Sequence, residues 1–481
     1  MDDRDTGTLK RLSNVFSTLN AKLHKDRGER APPGPNSGPQ APESSRTQDQ
    51  SNASGHFFFE YLVVVSLKKR RDQEGYEPQI TYQFPKRDAM GQWQKEDEEK
   101  SLKAIPLFCF PEGGNWAPLT EYTSETFSFV LTEIDGSRRN GYCRRLLPTG
   151  RGARPPEAYC IISRVACFGL FSKIFDEVEK RRQKSMAMIY PFMQSLREAP
   201  FPAPGNTVKI KSFIPESGTE IISLTRPMDS WLEHVDFRTL FRCLRDEEVL
   251  QVFAATALER RIIFLADELS TLSQVIHAVA ALLYPFTWQH TFISIVPEVL
   301  IDVVMAPTPY LLGVTRNMLD LVEDHSDLLI VDLSEGAEER FIMRLGDEDT
   351  IIPAKLQEEL LQELSAIQPN STAEELNRVI SEAFLSFFVK TVGHFGSHVK
   401  RGGSGGQPGV FNRKSFCKAT EHKANRHFVK HFVETQMFDI FIQEVEKHPN
   451  REGFFHKKVA EYEQKKKTEK AKGGWGRVGF V

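Results

Sequence analysis

The apolar positions of this chain are densest between residues 249 and 333, where short unbroken apolar runs alternate with longer segments of helical spacing. Runs without polar alternation are typical of strands buried on both faces of a sheet, and their alternation with helices indicates parallel strands. The stretch therefore predicts a central α/β lobe with a mainly parallel sheet. Its predicted elements are a helix at 249–258, a strand at 261–266, a helix capped by Ser270 that reaches Leu283, a strand at 291–296, a helix at 298–305 opened by Pro297, and a strand at 327–333.

The preceding stretch has the pattern of a smaller α+β lobe. An Asp135-Gly136 pair between two apolar runs indicates a hairpin. A helix at 168–179 carries its apolar residues on one face, so a mainly antiparallel sheet packed against one or two helices is expected. The predicted strands lie at 57–67, 79–84, 126–134, 141–147 and 158–165.

The pattern after residue 338 predicts only helices. Pro353 opens a helix that runs to residue 367, and a capping box of Ser371 and Glu374 begins another that runs to residue 395. A glycine-rich loop at 401–409 separates these from one long helix at 425–447.

These patterns divide the chain into five parts. Residues 1–55 are expected to be disordered apart from a helix at 8–25, because 31–55 is rich in Pro, Gly, Ser and Gln and has too little apolar surface to bury. Residues 56–204 form the first lobe, 205–338 the central lobe and 339–447 the helical part. Residues 448–481 form a basic tail that is expected to fray.

The segment at 8–25 carries an apolar stripe at spacings of three and four, with basic residues beside it. A basic amphipathic helix of this kind suits a membrane surface or a partner's groove. The alternatives are a helix docked on the protein's own body and a disordered arm. The stripe consists of Leu9, Leu12, Phe16, Leu19 and Leu23.

Composition limits the partners and the compartment. A net charge of −3 over 481 residues excludes a general polyanion-binding surface, so no nucleic-acid partner is expected. The six cysteines form no Cys-x-x-Cys pair, which suits reduced thiols in the cytosol. The acidic start predicts no signal peptide, and the longest apolar run is too short to span a bilayer.

An α/β sheet often holds a nucleotide, but this sequence lacks the residues for it. No Gly-x-Gly-x-x-Gly follows a predicted strand, and the chain contains no Gly-x-x-x-x-Gly-Lys-Ser/Thr. Without such glycines before a helix N-terminus a phosphate has no cradle. We therefore expect no cofactor and no small-molecule substrate, and a lobe that acts on another protein's nucleotide.

Three groups of motifs in this order resemble the upstream, core and downstream segments of the DENN domain family. The resemblance runs from about residue 57 to residue 462. It rests on Phe110-Pro111-Glu112-Gly113, on Phe129–Thr132 with Gly136, Arg138, Gly141, Cys143 and Arg144, on Tyr159–Ser163 with Phe171–Ile174, on Glu259–Phe264 and Pro309–Gly313, and on Phe432–Phe438.

The resemblance implies more than the residues alone do. DENN domains are guanine-nucleotide exchange factors for Rab GTPases, with a longin-like first lobe and the Rab lying across the first and central lobes. The type 2 subfamily implies a Rab of late endosome-to-Golgi traffic (Rab-nine). Relatives often carry an acidic residue where this chain has Ser334, a difference that could change partner choice or rate.

Candidate GTPase-binding residues lie in both lobes. Arg138, Arg139, Arg144 and Arg145 cluster around the hairpin, where they suit a solvated turn, electrostatic steering of an acidic GTPase face, or an arginine finger for GTP hydrolysis. Pro307-Thr308-Pro309-Tyr310 forms a stiff turn whose tyrosine suits either an interface or packing.

Two further patterns favour ordinary structural roles. His394 and His398, like His427 and His431, have the spacing of zinc ligands, but Phe428 stands where a zinc protease needs glutamate and no third ligand is evident. Gly402-x-Ser404-x-Gly406 matches a nucleophile elbow, yet it lies among glycines and follows no buried strand. No metal site and no covalent catalysis are expected.

The sequence as a whole therefore predicts a Rab exchange factor that binds the nucleotide-free or GDP form and is not an enzyme in the covalent sense. We expect a cytoplasmic protein that visits endosomal or Golgi-directed membranes peripherally, with contact to anionic lipid. The alternatives are a Rab effector or scaffold without exchange activity, and a GTPase-activating protein with a first-lobe arginine finger.

Overall fold

The computed structural model describes residues 57–71, 75–85, 102–114, 116–132, 138–203, 205–215, 218–226, 235–322, 326–337, 339–368, 370–400, 410–448 and 453–474. The apolar stripe at 8–25, the Asp135-Gly136 turn and the glycine-rich loop at 401–409 lie outside these residues.

The first lobe is built on a five-stranded antiparallel sheet, as its sequence pattern predicted. The strand order is β2-β1-β5-β4-β3, and the hairpin of β3 and β4 is confirmed. The first strand begins four residues later than predicted and continues to Lys69. The strands are β1 (Tyr61–Lys69), β2 (Tyr76–Phe84), β3 (Thr126–Thr132), β4 (Arg138–Leu146) and β5 (Glu157–Ser163).

Both faces of this sheet are buried, which explains the unbroken apolar run of β1. Val63 and Val65 contribute to the large apolar core that the sheet shares with the rest of the molecule, and a helix at 102–109, α1, lies in that core. Leu62 and Val64 point into a second core under the predicted helix, which extends further than expected. That helix is α2 (Phe168–Lys184), and it is followed by α3 (Ile189–Glu198).

A two-stranded hairpin of β6 (Thr207–Ile214) and β7 (Gly218–Thr225) also packs on the second core. The predicted boundary at residue 204 places this hairpin in the central lobe, whereas its contacts belong to the first. The sequence pattern did not indicate it, because Phe213 and Ile221 are apolar on its outer face and obscure the alternation.

The central lobe contains the predicted sheet of mainly parallel strands. Its order is β12-β11-β8-β10-β9, with β12 antiparallel at one edge. Two of the predicted strands are shorter than expected, and the segment at Glu298–Met305 is a 3-10 helix. The strands are β8 (Arg261–Ala266), β9 (Thr291–Ile293), β10 (Tyr310–Thr315), β11 (Leu329–Asp332) and β12 (Phe341–Met343).

Three helices accompany this sheet: α4 (Arg238–Cys243), α5 (Asp246–Ala257) and α6 (Leu269–Ala281). Since α6 begins at Leu269, Ser270 lies inside its first turn, and the prediction of a Ser270 cap is wrong. The backbone N–H of Ser270 instead donates to Glu125 Oε2 of the first lobe at 3.2 Å.

The C-terminal part is helical apart from the two-residue strands β13 (Val399–Lys400) and β14 (Val410–Phe411). The capping box lies one residue later than predicted, on Thr372 and Glu375. The predicted long helix is two helices, because the Thr435 side chain accepts from Phe438 N and begins a new one. The helices are α7 (Glu348–Ile351), α8 (Ala354–Ser365), α9 (Ala373–Val392), α10 (Arg413–Ala419), α11 (Arg426–Phe432), α12 (Gln436–Lys447) and α13 (Phe454–Gly474).

The tail prediction is also wrong for 454–474, which form α13. Phe455 is buried, and its ring lies 5.9 Å from the Phe441 ring and 6.0 Å from the Phe395 ring. Phe455, Val459 and Tyr462 repeat at spacings of four and three, a helical signal that the lysine run obscures.

Candidate functional site

The two lobes meet edge to edge through β3 and β9. Ser294 Oγ, just after β9, donates to Ser128 O of β3 at 2.7 Å. At the other end of the same contact, Arg138 Nη2 donates to Trp288 O at 3.0 Å. One hydrogen bond from β3 and one from the start of β4 hold the lobes in one relative orientation, so a partner that spans them would meet a fixed surface.

Of the predicted hairpin arginines, Arg138 is the most exposed at this junction. Its guanidinium lies 5.9 Å from the centre of the Phe292 ring, in addition to its bond to Trp288. Burial of the guanidinium lowers the pKa of Arg138. The side chain therefore links the lobes, and a steering or finger role would require it to leave Trp288.

The side chains of the remaining hairpin arginines are buried and paired within the protein. Strand alternation sends neighbours to opposite faces of the sheet. Arg144 Nη1 therefore lies 2.7 Å from Asp176 Oδ1 on α2, while Arg145 makes bonds of 2.9 and 2.8 Å to the two carboxylate oxygens of Glu112.

Arg139 is buried as well, with Nη1 3.1 Å from Glu60 Oε2. An arginine finger must reach a bound phosphate with its guanidinium. In this structure Arg139, Arg144 and Arg145 are held by acidic partners inside the protein. The contacts of these three arginines support a packing role, and a finger or steering role would require each to leave its carboxylate partner.

The Pro307–Tyr310 turn divides into an exposed and a buried part. Pro307 is exposed and Thr308 and Pro309 are half-buried, but Tyr310 is fully buried. The Tyr310 hydroxyl donates to Val304 O at 2.9 Å, and burial raises the pKa of Tyr310 to about 12. Of the two roles considered for Tyr310, these contacts support packing, and Pro307 is the most exposed member of the turn.

Ser334 lies at the opposite end of the central sheet from this turn. Tyr310 pairs with Arg261 at the start of β8, whereas Asp332, two residues before Ser334, pairs with Leu265 near its end. At about 3.3 Å per residue these positions are about 13 Å apart along β8. Ser334 is buried and its N–H donates to Asp332 Oδ1 at 2.9 Å, so the predicted residues do not form one surface.

Sequence reasoning missed an exposed apolar surface at the lobe junction. The 3-10 helix Glu298–Met305 buries only Val304, and Val299 and Met305 are 45% and 51% exposed. Glu298 N donates to Pro111 O of the first lobe at 2.9 Å, which joins the segment to both lobes. We call these residues the 298–305 ridge. In the sequence, the ridge is a short connecting segment that has more large apolar residues than it could bury.

The Glu259-Arg260-Arg261 motif holds the central lobe and the helical part together. The Glu259 carboxylate accepts from Gln436 N at 2.9 Å and from Met437 N at 2.8 Å, at the N-terminus of α12. Its Oε2 also lies 3.0 Å from His290 Nε2. Burial alone would raise the pKa of Glu259, but these hydrogen bonds outweigh it and the pKa is lowered.

Arg260 extends this connection with two bonds to Asp347, at 2.6 and 2.7 Å. Both oxygens of the Glu259 carboxylate accept hydrogen bonds from a helix N-terminus, where backbone N–H groups favour negative charge. The motif that most resembles the core segment of the family therefore has a structural role in this chain.

The paired histidines make ordinary side-chain contacts. His394 Nε2 lies 3.2 Å from Phe416 O, and His398 Nδ1 lies 3.0 Å from Ser415 Oγ. Within the described ranges no group of three or more potential metal ligands occurs. The residues Gly402, Ser404 and Gly406 lie outside the described part of the chain.

The helices of the described residues do not meet the requirements of a membrane span. None of them is both long enough and apolar enough to cross a bilayer.

Three family domains match this chain in order. The uDENN domain matches residues 78–146, the DENN (AEX-3) domain residues 154–336, and the dDENN domain residues 411–458. The segments differ from the structural lobes, because β5 and α2 lie in the second segment but pack in the first lobe.

Similar proteins cover nearly the whole chain. DENN domain-containing protein 2D of Homo sapiens is 58% identical over 466 residues, which is 95% of this chain and 98% of that protein. The Mus musculus protein of the same name is 57% identical over 97% of this chain. DENN domain-containing protein 2B of Homo sapiens is 50% identical over 84% of this chain but only 36% of its own length.

Proposed function

The chain belongs to the DENN domain family, and from this premise we propose that it is a guanine-nucleotide exchange factor for a Rab GTPase. The observation that carries the proposal is that all three DENN segments occur in order in a chain that aligns with a family member over 95% of its length. The first GTPase to test is a Rab of the Rab-nine type, because the relatives are type 2 DENN proteins.

Exchange needs a surface rather than a catalytic group. A partner that binds the open, nucleotide-free GTPase more tightly than the GDP form must weaken GDP by the same factor. An acceleration of roughly 10⁴-fold requires roughly 5.5 kcal/mol of differential affinity. Free energy of that size comes from a few well-packed apolar contacts surrounded by a wider interface.

The 298–305 ridge and Pro307 are the surface that best meets this requirement. The ridge exposes large apolar side chains, joins Pro111 of the first lobe, and continues into the exposed end of the proline turn. The interlobe bonds of Ser294 and Arg138 hold it in a fixed orientation. We propose that the GTPase packs against this ridge while it also contacts the first lobe.

The direct test is the release of labelled GDP from a panel of purified Rab GTPases in the presence of the full chain. We expect acceleration of at least one Rab, with the Rab-nine type first. If no Rab responds at micromolar protein, the exchange proposal is wrong. Binding of only the GTP form, with unchanged GDP release, would instead identify an effector.

A pair of matched variants tests the surface. The double change Val299→Ser and Met305→Ser is expected to lower the rate of GDP release about tenfold or more, as loss of a central apolar contact does. Leu321→Ser is the control, because Leu321 is 47% exposed on another 3-10 helix. Equal rates of GDP release for both variants would show that the GTPase does not bind at the ridge.

We further propose a cytoplasmic protein that acts peripherally and transiently on endosomal or Golgi-directed membranes, where Rab GTPases are anchored. The N-terminal stripe, from Leu9 to Leu23, supports this proposal through its basic amphipathic pattern. Fluorescence microscopy of the tagged chain with markers of these membranes is the test. A distribution unrelated to them would contradict it.

A further inference from the structure

The β6–β7 hairpin is held firmly on one side and free on the other. Its inner residues Ile210, Ile214 and Leu224 are buried. Arg181 Nε of α2 donates to Ser212 Oγ at 3.2 Å, and Lys180 Nζ lies 2.8 Å from Glu220 Oε2. The outer face is therefore presented to solvent in a fixed orientation.

The outer face combines large apolar side chains with positive charge. Phe213 is 65% exposed and Ile221 is 60% exposed. Phe213 pairs with Thr219 and Lys211 pairs with Ile221, so the two apolar side chains are diagonal neighbours on one surface. Both charged residues of the outward set are lysines. The set is Thr207, Lys209, Lys211, Phe213, Thr219, Ile221, Ser223 and Thr225.

We propose that this outer face is a docking surface for an anionic lipid bilayer. An aromatic and an aliphatic side chain can enter the boundary between headgroups and acyl chains. Lys209 and Lys211, on the same face, can then meet the negative headgroups. The acidic Glu220 points inward and is paired with Lys180, so it does not oppose this contact.

Two other partners could cover this face, a second copy of the chain and the N-terminal stripe. Charge favours the bilayer over both. A second copy of the hairpin would bring its own Lys209 and Lys211 towards the same lysines. The N-terminal stripe carries Lys10, Arg11 and Lys22 beside its leucines, so it would also add positive charge to a positive face. An anionic membrane is the candidate with opposite charge, and it attracts both segments.

The described part of the chain begins close to this hairpin. The first described residue is Phe57, and the Arg197 guanidinium lies 5.0 Å from the centre of its ring. The Phe58 ring lies 5.0 Å from the Phe201 ring, which lies 4.7 Å from Arg226 at the base of the hairpin. Residues 57 and 58 therefore lie near the base of the β6–β7 hairpin.

The test is co-sedimentation of the full chain with vesicles of phosphatidylcholine, with and without phosphatidylserine, and with no GTPase present. We expect binding to the anionic vesicles only. Two double variants, Phe213→Ser with Ile221→Ser and Lys209→Glu with Lys211→Glu, are each expected to lower that binding about tenfold or more.

Matched controls change equivalent residues elsewhere. Val410→Ser removes an apolar side chain that is 66% exposed, and Lys414→Glu with Lys418→Glu makes the same change of charge on α10. Both controls are expected to bind the vesicles as the unchanged chain does. Thermal unfolding of each variant verifies that the hairpin changes leave the fold intact.

Three results would overturn the proposal. The first is unchanged vesicle binding of both hairpin variants. The second is a change of molecular mass in light scattering with no change in vesicle binding, which would indicate a second copy. The third concerns a chain that lacks residues 1–30. If the substitutions lower vesicle binding in the full chain but not in this shorter chain, the face binds the N-terminal segment rather than the bilayer. Because no GTPase is present, failure here leaves the exchange proposal standing.

Discussion

At the scale of single residues, the side chains that the family resemblance singles out are mainly structural. Arg144 and Arg145 are buried and pair with carboxylates on opposite faces of the first sheet, and the Tyr310 hydroxyl donates to Val304 O. Gly313 is needed because a Cβ there would lie 2.0 Å from Ser294 O. These residues fix the shape of the junction, and other side chains are left to contact a partner.

Glu259 is a charged residue whose loss we expect to destabilise the fold. Glu259→Ala leaves Gln436 N and Met437 N without this acceptor at a partly buried helix end, so we expect a loss of about 2 kcal/mol in the free energy of unfolding. Urea unfolding measures it. Glu358→Ala, an exposed change on α8, is the control. A loss no larger than that of the control would show that Glu259 does not hold the lobes together.

The same carboxylate predicts a dependence on pH. The folded state lowers the pKa of Glu259, so the ionised form is stabilised by folding. Its contribution is complete above the unfolded pKa, near 4.3, and disappears as the pH falls through the folded pKa. The stability difference between the unchanged chain and Glu259→Gln should therefore shrink below about pH 4. A difference that stays constant or grows on acidification would contradict this assignment.

At the scale of elements, the short and irregular pieces carry the surfaces that matter. The 298–305 ridge and the β6–β7 hairpin both expose large apolar side chains on well-anchored segments. Neither shows a clean period of two or 3.6 residues, since their apolar residues point both inward and outward. Such segments are the ones that periodicity misjudges.

The helix α13 gives a prediction at this scale. Phe455→Ala is expected to lower the free energy of unfolding by about 3 kcal/mol or more, because it empties a fully buried aromatic site between Phe395 and Phe441. Limited proteolysis should then cut within 454–474. Lys467→Ala, an exposed change on the same helix, should alter neither readout. Protection of α13 in the Phe455 variant would mean that other contacts hold it.

At the scale of the whole molecule, the lobes share one apolar core. Buried residues of the first sheet, the central sheet and the C-terminal helices form a continuous cluster, which includes Val63, Phe129, Leu312, Phe388 and Phe438. Hydrogen bonds between the lobes add to it. This continuity indicates that the lobes unfold together.

Phe129→Ala tests that expectation. Phe129 stacks on Phe108 with ring centres 4.9 Å apart, and its truncation should cost about 3–5 kcal/mol. Hydrogen exchange should show the same loss of protection in β1–β5 and in β8–β11. Phe213→Ala removes the same atoms from an exposed site and should change stability by about 0.5 kcal/mol or less. Loss of protection confined to the first sheet would show that the lobes unfold independently.

The sequence by itself determined the order and type of most elements. Buried strands such as Arg261–Ala266 and amphipathic helices such as Phe168–Lys184 leave a local period that can be read without the fold. The motifs likewise identified the family. The lack of a phosphate-binding motif in the sequence predicted that the central lobe acts on another protein's nucleotide. Element ends were less certain, because caps such as Thr372 and Thr435 differ by a residue or two from equally suitable neighbours.

Only the tertiary structure decided which side chains remain at the surface. Arg138 and Arg144 are six residues apart on one strand, yet one reaches Trp288 of the other lobe and the other pairs with Asp176 beneath the sheet. Tyr310 and Ser334 are both candidates for a contact with the GTPase, yet they lie beside opposite ends of β8. Exposure and proximity depend on contacts between residues distant in the chain, and no local period records them. The ridge and the hairpin face therefore became visible only after the two sheets were packed.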